Sequence, residues 1–384
     1  MEKSPRYDSR IIYLLLSYIV WGIFWGAWGV LLPAVKTAIG ATDKSLGFAL
    51  IGITVGALPA MLGTGLIIKR FSKWVLFYVL LFFAGSIAAI TLVNTPLTLA
   101  FVLFFVGASS GMLDVVMNSG VATLESLTDK DYFNYAHAAF PVAVIFTSPT
   151  VGYVRQSGVN KNIILLVMAG IIALVGLINL KLDMKDNKKE EIKEKGFGYS
   201  SVIFQKIILL LGAIGLLVHL LENAVEQWST IYLEQSLMSS PALASLGITG
   251  YMAMLFMGRL IAQRITGKYE DKYILTISSV ISVLGFLLVS MAKIPLLVII
   301  GYSIAGLGIA PIIPLIFSMI GKRTSPEKRV KSISSVTIIA YTGYLISPPI
   351  VGYISNIFSL NTAWIFLTFV SILLVFLIRM IKSA

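Results

Sequence analysis

Six ionisable side chains stand in stretches that are otherwise apolar: Asp114, His137, His219, Glu222, Glu226 and Arg259, and the two histidines are the only ones in the chain. Carboxylates and imidazoles are the side chains that hold and release protons. If the flanking stretches cross a bilayer, each charge costs about 2.5–3.5 kcal/mol on insertion scales, and it persists mainly where it faces a wet path or a partner. Asp114 and Asn118 are four residues apart and share one helix face. Gly107 and Gly111 continue that stripe and would let a neighbouring helix come close. Asp114 is therefore either half of a structural hydrogen bond or a proton-exchanging group. His219, Glu222, Asn223 and Glu226 recur at spacings of three and four, a second polar face. Glu222 is the candidate substrate acceptor or proton carrier there. Glu226, nearer the outer surface, is open to simple hydration, and His219 to a bond with a carbonyl.

Other polar and aromatic residues are candidates for the rim of such a site. Trp21, Trp25 and Trp28 run at spacings of four and three. Aromatic faces stack on sugar rings, but tryptophan also belongs to membrane interfaces. The interface explains Trp28 well and Trp21 poorly, and Trp25 is the expected cavity wall. Gln227 and Trp228 follow on the second polar stretch, Trp228 with the same ambiguity. His137 lies at the depth of Asn118 and would pair with Asp114 or a loop carboxylate, as a gate or a ligand. Tyr341 and Tyr344 could bond a solute or simply pack near Pro348 and Pro349. Arg259 follows Gly258, where snorkelling or a gating contact is expected. No enzyme signature accompanies these residues. Cysteine is absent, no Gly-x-x-x-x-Gly-Lys-Ser/Thr loop occurs, and two distant histidines make a poor metal site. Neither a cofactor nor an enzymatic activity is expected.

The elements that must position these residues follow from composition. Of 384 residues, 57% are hydrophobic and 12% charged, with a mean hydropathy of +0.90. Average usage is near a quarter charged, so the polar skin of a soluble domain is missing and the solvent must be lipid. Apolar runs long enough to cross about 30 Å of hydrocarbon fall at 11–33, 46–68, 74–93, 97–122, 133–154, 161–181, 204–233, 245–264, 272–292, 296–320, 331–356 and 361–381. The break near 93–97 rests on Asn94, Thr95 and Pro96. Unbroken apolar runs of this length read as helices, not barrel strands. The first run has no small-residue cleavage site and reads as a retained span. With the N-terminus cytoplasmic, the outer Lys and Arg are only Lys36, Lys44, Arg155, Lys161 and Lys293; Arg259 lies in a span, and the rest of the 30 fall inside. This bias sets the orientation, with both termini cytoplasmic. It also accounts for the net charge of +12 without nucleic acid as a partner.

Residues 181–200 form a charge-dense linker between two sets of six runs, giving an N-terminal bundle over 1–180 and a C-terminal bundle over 201–384. The halves repeat at an offset of 200. Ser45-Leu46-Gly47 recurs as Ser245-Leu246-Gly247, Pro149-Thr150-Val151-Gly152-Tyr153 as Pro349-Ile350-Val351-Gly352-Tyr353, and Trp28 as Trp228. Two parallel six-helix halves joined by such a linker resemble the major facilitator superfamily, whose halves rock about a midplane site. The family's signature after the second span, Gly-x-x-x-Asp-Arg-x-Gly-Arg/Lys, reads here Gly65-Leu66-Ile67-Ile68-Lys69-Arg70-Phe71-Ser72-Lys73, with Lys69 in place of the aspartate. The inter-bundle pairing that the aspartate serves is thus not carried over. The fourth-span arginine of many drug exporters is also missing, with Leu103 four residues before Gly107.

A narrower resemblance lies in Asp114-Val115-Val116-Met117-Asn118 with the following His137, and in Glu222-Asn223-Ala224-Val225-Glu226-Gln227-Trp228-Ser229. These are similar to the fucose-permease-like branch and related bacterial transporters of unassigned substrate, which carry Asp-x-x-Met-Asn and Glu-Gly-Ala-x-x-Asp-Trp-Ser. Asn223 and Gln227 depart from that pattern. The resemblance implies proton-coupled uptake of a sugar or similar small polar solute. The expectation is then an all-α membrane protein of twelve spans in two pseudo-symmetric bundles, a monomeric importer in the cell membrane. Asp114 and Glu222 would exchange the proton, and Trp25, Asn118, Glu222, Asn223 and Gln227 would meet the solute. His137, His219, Glu226, Arg259, Tyr341 and Tyr344 would gate or assist. Export of hydrophobic compounds and a non-transporting sensor on the same fold are the alternatives.

Overall fold

A backbone in hydrocarbon has no water to bond, so each apolar run closes its hydrogen bonds within itself as a helix. The computed structural model describes residues 8–67, 72–128, 130–182, 205–324 and 326–381, and among these twelve helices are long and apolar enough to cross a membrane. The first six spans are α1 (Ile11–Ala38), α2 (Asp43–Ile67), α3 (Lys73–Ala89), α4 (Pro96–Thr128), α5 (Phe133–Gln156) and α6 (Lys161–Asn179). Then come α7 (Lys206–Ile231), α8 (Pro241–Ile265), α9 (Asp271–Met291), α10 (Pro295–Ile309), α11 (Ile312–Arg323), α12 (Pro326–Ile357) and α13 (Leu360–Arg379). The expected linker 181–200 and the motif residues Lys69 and Arg70 lie, wholly or nearly so, outside the described residues.

The helix ends follow local chemistry. Asn160, Ser240 and Ser359 cap α6, α8 and α13 by accepting from Asn162 N, Leu243 N and Thr362 N. Proline opens α4, α8 and α10, where its missing N–H is no loss. Several bounds differ from expectation. The fourth run continues as helix to Thr128, because polar residues extend a helix past its apolar stretch. The tenth span, read as continuous over 296–320, is two helices interrupted at Ala310-Pro311; proline lacks the donor that would carry the ladder through. The seventh span ends in a π-helical turn, Tyr232–Ser236.

The chain divides into two compact units. One comprises residues 1–41 and 48–193, and the other 194–384 with residues 42–47, the first turn of α2. In the first unit, Gly107 and Gly111 of α4 meet α2. A Cβ at Gly107 would fall on Ile53 O, and one at Gly111 would lie 2.8 Å from Ala57 O, so the expected close approach is present. Asn179 of α6 donates to Ser17 of α1 at 2.7 Å. Trp28, expected at an interface, is 1% exposed and stacks on Phe24 at 6.0 Å, because its helix lies inside the unit. In the second unit α7 is the central helix, with nearly every residue from Val218 to Ile231 buried. Ser347 of α12 donates to Leu220 O at 2.7 Å, and Gly343 accepts the α7 backbone against it.

Candidate functional site

Each unit carries, among its described residues, a carboxylate network built on a residue singled out above, Asp114 in the first and Glu222 in the second. In the first, Asp114 Oδ1 accepts from Asn118 Nδ2 at 3.0 Å, one turn along α4. Asn118 Oδ1 in turn accepts from the Tyr18 hydroxyl of α1 at 2.6 Å. The amide is thereby oriented: its oxygen takes the phenol, and its nitrogen faces the carboxylate. Asp114 and Asn118 are half-buried, while Tyr18 is fully buried. One turn before Asp114, Ser110 Oγ accepts from Trp21 Nε1 at 2.8 Å and Trp25 Nε1 at 3.3 Å. Both indole N–H groups are engaged within the protein, so Trp25, half-exposed, offers its ring face and not a donor. Trp21 also lies against Phe140 of α5, ring centroids 4.7 Å apart. His137 is exposed; its ring stacks on Phe133 at 5.9 Å and meets Tyr18 edge-on at 5.7 Å. Tyr18 thus touches both Asn118 and His137.

In the second unit Glu222 is the hub. Its Oε2 lies 3.2 Å from His219 Nδ1 on the same face of α7 and accepts from the Tyr344 hydroxyl of α12 at 3.0 Å. The His219 ring stacks on Tyr344 at 4.6 Å and sits edge-on to Tyr341 at 5.4 Å. His219 therefore bonds a carboxylate, not a carbonyl, and Tyr344 is a carboxylate partner besides packing. Glu222 is 8% exposed, Asn223 7% and Gln227 3%. Asn223 Oδ1 is buried and finds no hydrogen-bond partner, an open acceptor beside Glu222. Glu226, half-buried, and Arg259 of α8, exposed, lie within electrostatic reach of this hub.

Residue spacing alone did not select Tyr18, Ser110 and Tyr251. The signals were there. Tyr18 is three residues before Trp21, Ser110 four before Asp114, and Tyr251 eight before Arg259, each on the stripe of a selected residue. Tyr251 is fully buried and its hydroxyl has no partner.

Twelve helices long and apolar enough to cross a membrane define a class, an integral multi-pass membrane protein. Comparison with known proteins agrees. Residues 211–383 match the family described as Major Facilitator Superfamily. An uncharacterized MFS-type transporter of Yersinia pestis is 27% identical over 361 residues, covering 93% of this chain and 91% of that one. Among solved structures, a variant of the nucleoside transporter NupG superposes with a TM-score of 0.84 at 16% identity, covering 98% and 100% of the two chains. A D-xylose-proton symporter superposes with a TM-score of 0.75 at 13% identity, covering 97% and 98%. The family match thus covers the second half of the chain, and the solved structures share the fold of the whole.

Proposed function

We propose that the protein is a proton-coupled importer of a sugar or a related small polar solute, working as a monomer by alternating access. The observation that carries this reading is the pair of carboxylate networks, Asp114–Asn118–Tyr18 and Glu222–His219–Tyr344, one in each unit. A carboxylate at lipid depth is retained at a cost, and a donor set that orients it is what reversible protonation requires. Asp114 and Glu222 mark the two coupling networks. Asn118, Asn223, Gln227 and the face of Trp25 supply polar and stacking contacts to a hydroxylated solute. His137, His219, Glu226, Arg259, Tyr341 and Tyr344 support or gate. The solved relatives include a nucleoside transporter and a D-xylose-proton symporter, both of whose named solutes are hydroxylated ring compounds, in keeping with this class. The charge bias sets both termini in the cytoplasm of a cell-membrane protein built as bundles 1–180 and 201–384 around the linker 181–200.

The test is uptake into proteoliposomes under an inward proton gradient, with D-xylose, uridine and a panel of sugars and sugar acids as labelled solutes. At least one accumulates in the wild type, and collapse of the gradient with a protonophore stops it. Accumulation of none, or accumulation indifferent to the protonophore, contradicts the proposal.

A further inference from the structure

The second unit holds more fixed charge than the Glu222 network uses. Glu222 and Glu226 are four residues apart on α7, so their side chains are neighbours on one face. Among the described residues, Arg259 is the one fixed cation within electrostatic reach of both. Among the described residues, the other titratable groups around the pair are His219 on α7, Tyr251 on α8 and Tyr344 on α12, with Tyr341 behind them against His219 and Tyr344. With His219 as a neutral imidazole, two carboxylates against one guanidinium leave one negative charge uncompensated. Burial of net charge is expensive, so the cluster calls for one more positive charge.

A second observation points the same way. The Tyr251 hydroxyl is fully buried and unpartnered, and it lies within electrostatic reach of Glu222, Glu226 and Arg259. A phenol left without an acceptor costs about 1–3 kcal/mol, and it fits a site whose proton changes place. Glu222 Oε2 is already engaged by His219 and Tyr344. Glu226 has no hydrogen bond among the described residues and is only half-buried, the member of the pair that water can reach.

We infer that His219, Glu222, Glu226 and Arg259 form a single-proton store, in which Glu222 and Glu226 share one exchangeable proton as a coupled unit and Tyr251 and Tyr344 supply the surrounding donors. In such a unit the proton belongs to the pair, not to either residue. The inference rests on the proton-coupled reading and adds to it Glu226, Arg259 and Tyr251 as working parts. It also gives a stoichiometry of one proton for the second unit.

The store is tested without knowing the solute, by differential potentiometric titration of the purified full-length chain in detergent. At neutral pH the wild type should bind one proton more than E226Q, one more than E222Q, and again only one more than the double variant, because removing either carboxylate leaves the other balanced by Arg259. E226D and R259K should keep the proton. The melting temperature of each variant reports that it is folded, and the conservative pair keeps the test open if a neutral variant unfolds. A wild type that binds no more protons than E226Q overturns the inference, since Glu226 is then an ordinary hydrated carboxylate. A difference of two for the double variant also overturns it, since the proton is then not shared. If the titration result holds while no solute accumulates under a proton gradient, the store stands and the import reading falls.

Discussion

The two units repeat in sequence at an offset of 200, and at that offset Gly22 and Gly26 of α1 correspond to Glu222 and Glu226 of α7. In the first unit these positions are closed by backbone. A Cβ at Gly22 would lie 2.6 Å from Phe140 O, and one at Gly26 2.9 Å from Val144 Cα, so α5 presses directly on α1. Ser148 then fixes the contact by donating to Gly26 O at 2.8 Å. In the second unit the corresponding positions carry carboxylates. Close approach is supplied elsewhere on α7, by Gly212 and Gly215 against Ile339 and Ala340, and by Gly343 of α12. The first unit has its carboxylate on α4, as Asp114, where the offset gives Pro314 in the second. The fold is repeated and the chemistry is not. Charge has been placed where each unit leaves room for it.

The comparison is broken most severely by exchanging its terms. Gly22→Glu would drive a carboxylate into the α5 backbone at a cost of about 3 kcal/mol or more, and loss of monodisperse protein on size exclusion is the expected result. Glu222→Gly should still yield folded protein, with coupled uptake lost. A milder cut neutralises each network. D114N and E222Q should each lower gradient-driven accumulation by about tenfold or more, the equivalent of ~1.4 kcal/mol, with melting temperatures close to the wild type.

Smaller effects sharpen the contrast between the two hubs. Y344F removes a phenol bonded to a carboxylate, worth about 1.5–3 kcal/mol, and Y18F one bonded to an amide, worth about 1. The thermal shift and the loss of uptake should therefore be larger for Y344F. The smallest change is expected at the N-terminus, outside the spans. There Asp8 takes a bidentate contact from Arg10, at 3.0 and 2.7 Å, which holds its carboxyl below the usual carboxylate range. A depressed folded value means that its stabilisation is present at neutral pH and fades only as pH falls through that value. The pair is half-exposed, so D8N should cost at most about 1 kcal/mol, read as a small drop in melting temperature at neutral pH that vanishes in acid.

Most of the architecture was legible in the residues. Apolar run length gave all twelve spans, since hydrocarbon thickness leaves little freedom, and Asn94-Thr95-Pro96 marked a true helix start at Pro96. Gly107 and Gly111 were legible as a contact because only small side chains let helices approach. The break at Ala310-Pro311 was harder to see, because a proline in an apolar run kinks some helices and interrupts others. The partners of the polar residues were only half legible. Spacing of three and four showed that His219 and Glu222 meet. It could not show that Tyr18 bonds Asn118 or that Tyr344 bonds Glu222, since these contacts join residues 100 and 122 apart. Trp28 was misplaced for the same reason, because an interfacial position and an interior one look alike in a single helix.

The central claim is that carboxylates held in lipid-depth helices couple proton movement to a solute. The most direct measurement is the external pH of wild-type and variant proteoliposomes, recorded with a membrane-impermeant dye on adding the solute that a thermal-shift screen selects. The account expects alkalinisation outside the wild-type vesicles, and none for D114N or E222Q even though labelled solute still exchanges across the membrane. Undiminished alkalinisation in both neutral variants would contradict it.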